Sequence, residues 1–139
     1  MRDAASIDHH TALIYVMVLV SAADSNMTNA ELRSIGEEVQ YLPIFRDFDR
    51  ERLPKVASSC VDVLNGDNGL DEIFSLIEAA LPQRLRETAY ALACDVVAAD
   101  GTATQDELRL LEMLRYRLDV ERLVAAAIER GAQARHRRA

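Results

Sequence analysis

A chain of 139 residues, half of them apolar, can build one domain with a real core, and its composition excludes general disorder. Aromatics make up only 5%, and five Gly and three Pro are too few turn residues for a sandwich or barrel, so the expected class is all-α. The 23 acidic and 16 basic side chains give a formal charge of −7, which opposes a nucleic-acid partner and suits cations or basic protein surfaces.

Seven helices are expected along one domain, 1–139. The first covers about 7–23 and holds the longest apolar run, Ala12 to Val20 continuing to Ala23. That run falls short of the roughly 20 residues a bilayer requires, so it reads as a buried central helix rather than a span. No basic stretch followed by an apolar one opens the chain, and Cys60 and Cys94 sit in apolar helical runs. Both observations imply a cytoplasmic protein with reduced, packed thiols. His9 and His10 read as a polar flank before the first helix, without the further ligands a Zn site needs.

The second helix spans about 29–41 and ends at Leu42-Pro43, since the residue before Pro is pushed out of the α region. Residues 44–49 form a connector, and Asp49 is the expected N-cap of a third helix that ends near Leu64 and starts irregularly at Pro54. Asn65-Gly66-Asp67-Asn68-Gly69 is a loop, with Asp67, Asp71 and Glu72 as turn and helix-start charges. A fourth helix runs over 70–81, a fifth over 83–99 and a sixth over 105–117. The seventh is expected over about 120–131, followed by a frayed basic tail, 132–139, that reads as a solvated end, with contact to an anionic membrane surface as the lesser alternative because the basic patch is short. Asp95 interrupts the fifth helix, where it must either point outward or find a partner.

The chain repeats itself at an offset of 76 residues. Ala22-Ala23-Asp24-Ser25-Asn26-Met27-Thr28-Asn29-Ala30-Glu31-Leu32-Arg33 matches Ala98-Ala99-Asp100-Gly101-Thr102-Ala103-Thr104-Gln105-Asp106-Glu107-Leu108-Arg109 at seven of twelve positions. Each copy lies between an apolar helix and an amphipathic one, so repeat one (about 8–41) and repeat two (about 83–117) are two helical hairpins joined by connector helices over 44–81. Thr28 with Glu31, and Thr104 with Glu107, have the spacing of a capping box. Asp24 and Asp100 fall at helix C-termini, where the macrodipole opposes a carboxylate and something must compensate. The compensation is either an Asx-turn or a bound cation. An EF-hand is excluded: Asn29 stands where that loop requires Gly, and the closing acid comes too early.

Ala-Ala-Asp-Gly, a short polar step, Thr, two residues and Glu-Leu resembles the signature of the TerB-like proteins of tellurite resistance. The resemblance covers about 10–130 and is better in the second copy, from Leu81-Pro82 through Arg86-Glu87-Thr88-Ala89 to Leu118. In the first copy Ser25 replaces the Gly. The resemblance implies an all-helical domain of about seven helices with internal pseudo-symmetry, no catalytic activity, and a role in resistance to tellurite and other stresses. It also implies a metal role for the acidic residues, which falls here on Asp24, Glu31, Asp100 and Glu107.

The expected function is therefore a non-catalytic binding or adaptor module for protein partners of a stress-response system. It acts through two acidic turns, with Ca²⁺ or Mg²⁺ rather than Zn²⁺ as the candidate ion. A metal-dependent hydrolase on the same carboxylates and an ion-independent protein-interaction domain are the alternatives. No phosphate loop, Ser-His-Asp set or HExxH motif is present to support an enzyme.

Overall fold

The structure, a computed structural model, describes residues 6–22, 29–99 and 103–139. They form α1 (His9–Ser21), α2 (Asn29–Tyr41), α3 (Leu53–Leu64), α4 (Gly69–Ala80), α5 (Gln83–Ala99), α6 (Gln105–Arg117) and α7 (Arg122–Arg135), with short 3-10 turns at Pro43–Phe45 and Arg50–Arg52. No strand occurs among the described residues, as the composition requires.

α1 is the axis of the fold. Twelve of its thirteen residues are buried, so it has no solvent face and no amphipathic pattern. It starts at Asp8, whose carboxylate accepts from the Thr11 amide at 2.8 Å. Burial works against the ionised form of Asp8, but the Thr11 hydrogen bonds prevail and hold its carboxyl below the usual range. α1 packs against α2, α3, α4, α5 and α6, whereas α5 packs against α1, α2, α6 and α7. The two hairpins thus make the same kinds of contact: α1 with α2 and α5 with α6 inside each, α2 with α5 and α1 with α6 between them. α3 and α4 cover α1, and α7 covers α5.

Side chains that could be read as functional instead hold these layers together. Tyr15 Oη and Ser59 Oγ lie 2.6 Å apart and link α1 to α3, beside the buried Cys60. Burial pushes the Cys60 thiol up to about 12, so it stays protonated at neutral pH. On the other side, Arg117 of α6 donates to Glu78 and, at 3.2 Å, to Asp71, both on α4. Its guanidinium also lies 5.0 Å from the centroid of the buried Phe74 ring. Asp71 is thus one end of an α4–α6 clamp as well as a helix-start charge.

Several boundaries and roles differ from the sequence reading. His9 and His10 do not precede α1; they form its first turn. His10 is buried, stacks on Phe45 and meets Phe48 at a tilt, and its Nε2 sits 2.7 Å from the Ile44 carbonyl oxygen. The 3-10 connector folds back over the start of α1 and covers what looked like a polar flank. Asp49 caps the second 3-10 turn, accepting from the Glu51 amide at 3.0 Å, and that turn leads into α3 with Pro54 in its first turn. Pro is tolerated there because the first-turn amides have no partner within the helix.

The seventh helix starts two residues later than expected and runs on to Arg135, so the tail is not frayed from Ala132. Glu121 caps it by accepting from the Leu123 and Val124 amides at 3.0 and 3.2 Å. Ala132 is buried against the core. Arg135 reaches Asp95 on α5 at 2.5 Å, and His136 Nε2 lies 3.5 Å from the same oxygen. Asp95 therefore does not project into solvent; its side chain is 13% exposed and ties α7 to α5.

Candidate functional site

The four acids singled out in the sequence fall into two groups. Asp24 and Asp100 lie outside the described residues, as do Thr28 and Gly101. Glu31 and Glu107 stand in the first turns of α2 and α6, at corresponding positions of the two hairpins. Glu31 is partly buried, and Glu107 is only 2% exposed.

Glu107 has the capping role that its spacing predicts. The Thr104 hydroxyl accepts from the Glu107 amide at 3.1 Å, and Glu107 Oε1 accepts from the Thr104 amide at 2.9 Å. A capping box satisfies two helix-start amides and places negative charge at the positive end of the helix dipole. A carboxylate this buried needs such partners to remain ionised without large cost. Among the described residues, no three His, Cys, Asp or Glu side chains gather as a metal-binding group. A cation site at either turn thus requires Asp24 or Asp100 together with the Glu seven residues on.

A second feature was not visible in the sequence. α6 and α7 both pack on α5 and leave between them a groove of about 890 Å³. Its middle is apolar: Cys94 and Val97 from α5, Leu108 and Leu111 from α6, Ala132 from α7. α5 and α7 run parallel, because Tyr90 pairs with Glu129 at 2.5 Å and Asp95 pairs with Arg135 further along. The groove therefore has two distinct ends. Tyr90, Glu129, Glu112 and Arg115 line one. At the other, His136, Arg137 and Arg138 stand near Ala98 and Ala103, the residues on either side of the second acidic turn. Burial and the nearby Glu129 raise the Cys94 thiol to about 12, so it serves as an apolar wall and not as a nucleophile.

A charged cluster borders the groove on its α2 side, where Glu38 faces Asp95, Arg135 and His136. Burial raises the Glu38 carboxyl above its ordinary value and the Asp95 charge raises it further, while His136 and Arg135 pull the other way. A carboxyl with a raised folded pKa contributes stability below its unfolded value and loses it as pH rises through the folded value. Glu38→Gln is thus expected to raise the melting temperature at pH 7, with the gain fading as the buffer is brought down toward pH 4.5 and absent below it. A melting-temperature difference that stays constant from pH 7 to pH 4 would show that Glu38 carries no such penalty.

The family model for tellurite resistance protein TerB matches residues 10–130. The chain belongs to the TerB family. The match takes in both hairpins, the connector helices and most of α7, so the described fold is that of a TerB domain. A TerB domain is a module associated with tellurite resistance. No curated protein and no solved structure matches the chain. No described helix is long and apolar enough to cross a membrane; α1, the most apolar, has thirteen residues.

Proposed function

We propose that this TerB domain is a non-catalytic binding or adaptor module of a tellurite-resistance and stress-response system, tuned by Ca²⁺ or Mg²⁺ at its two acidic turns. The family match over 10–130 carries the proposal. The repeat supports it, since the same Asp and Glu occur in both copies at the same spacing. Glu107 at the head of α6 supports it further, because it places a carboxyl group beside turn two. Glu107 is held by its cap, so on this reading Asp24 and Asp100 are the leading ligands and the Glu side chains complete the field around them.

The test is thermal unfolding in chelator, then with Ca²⁺, Mg²⁺, Mn²⁺ and Zn²⁺ in turn. An ion present at 100 times its dissociation constant adds about 2.7 kcal/mol if it binds only the native state. That corresponds to a rise of several degrees, at roughly 2–8 °C per kcal/mol. The expected result is a rise with Ca²⁺ or Mg²⁺ that disappears in Asp24→Asn/Asp100→Asn while the helical circular-dichroism spectrum is unchanged. A shift of the same size in the double variant would remove the turns from the proposal.

The metal-dependent hydrolase is the second reading, and the groove favours it in one respect. Ala98 and Ala103 place an apolar pocket beside turn two, which such an enzyme needs for its substrate. Ester or phosphoester turnover that depends on added metal and is lost in Asp100→Asn would establish it over the adaptor.

A further inference from the structure

We propose that the groove between α6 and α7 binds a monomeric medium-chain acyl carboxylate, with its head at Arg137 and Arg138 and its chain running over Val97 and Leu108 toward Tyr90. The volume of about 890 Å³ lies within the roughly 300–1,000 Å³ of small-molecule sites. Eight helical rises separate Ala98 from Tyr90 along the floor, which gives a length of about 12 Å. That suits a short acyl chain and is too short for a long one held straight.

The charge distribution sets the polarity of the ligand. The chain as a whole is acidic at −7, yet one end of the groove carries Arg137, Arg138 and His136. Arg137 is held at the end of α7, its amide reaching the Ala134 carbonyl at 3.5 Å. An anionic head is attracted there. The opposite end carries two carboxylates, Glu112 and Glu129, to the single Arg115, and it is closed by the Tyr90–Glu129 hydrogen bond. An anion is repelled from that end, and an apolar tail terminates against it.

The same end argues against an acidic amphipathic helix from a partner protein. Such a helix would have to continue past Glu112 and Glu129, where like charges would face it. Leu108 also fits the acyl proposal: it lines the groove and is 48% exposed. A bound chain would cover it.

The experiment is titration of the full chain with decanoate below its micellar concentration, followed by methyl chemical shifts of Leu, Val and Ala. Saturable one-to-one binding, with the largest shifts at Leu108, Leu111 and Val97, is expected. Arg137→Glu/Arg138→Glu is expected to weaken binding at least tenfold, and Leu108→Asp to abolish it. The three substituted side chains are exposed, so the helical circular-dichroism spectrum should be unchanged. Decanol, with the same chain and no charge, should bind at least tenfold more weakly than decanoate. Absence of saturable decanoate binding would overturn the proposal. So would binding insensitive to both variants, or association only with phosphatidylglycerol vesicles or an acidic helical peptide. None of these readouts involves Asp24 or Asp100, so this site stands or falls separately from the acidic turns.

Discussion

Phe74→Ala is expected to lower the stability of the domain by about 3–5 kcal/mol, a drop in melting temperature on the order of 10–20 °C. Phe74 is 1% exposed and sits on α4 where that helix meets α1, α3 and α6. Removing the ring leaves a cavity that three helices cannot collapse into without breaking their other contacts. It also takes away the surface under Arg117, whose guanidinium joins α6 to Glu78 and Asp71 of α4. Phe74→Leu separates the two effects. It keeps most of the apolar volume and loses the ring face, which is worth about 0.5–1 kcal/mol for a partly exposed cation. Urea unfolding of both variants checks the argument. Equal losses for Ala and Leu would mean that the guanidinium contact, and not the cavity, dominates.

Gly69→Ala should be nearly as damaging, at roughly 3 kcal/mol, the upper end of overpacking costs. A Cβ at Gly69 would lie 2.3 Å from the Leu64 carbonyl oxygen and 2.5 Å from that of Val63. Both are backbone atoms in the last turn of α3, so no side-chain rotation can relieve the overlap. The α3–α4 corner turns through Asn68 in the left-handed region at φ 56°, which brings the start of α4 hard against the end of α3. Gly66 is the control. A Cβ there would meet the Val63 oxygen at 3.4 Å, so Gly66→Ala should change stability by no more than about 1 kcal/mol. Similar melting temperatures for the two variants would show that the corner is not as tight as its geometry requires.

Local signals in the sequence located the end of α2, the start of α5 and both ends of α6 to the residue, because Pro43, Pro82, the capping Thr104 and apolar periodicity all act within a few positions of the boundary they set. The capping box at Thr104 and Glu107 was legible for the same reason. What the sequence hid depends on distant partners. His10 looks like a polar flank until Ile44, 34 residues away, supplies a carbonyl and Phe45 and Phe48 supply a cover. The last turn of α7 looks like a basic tail until Asp95, 40 residues upstream, engages Arg135. The groove is hidden more deeply still, since it arises from the separation of α6 and α7 over α5 and not from any pattern within one helix. Arg137, Arg138 and the half-exposed Leu108 are visible as residues, but nothing local says that they share one opening.

The complete enclosure of α1 has a consequence for how the domain breathes. A helix with no outer face cannot exchange its amide hydrogens by peeling away alone; the layers around it must part first. The amides from about Leu13 to Val20 should therefore be the slowest to take up deuterium, at a rate set by global unfolding. Deuterium uptake there becomes an internal gauge. A ligand that stabilises the whole fold would slow it, even though α1 touches no part of the groove, whereas one that only tightens α7 would leave it unchanged.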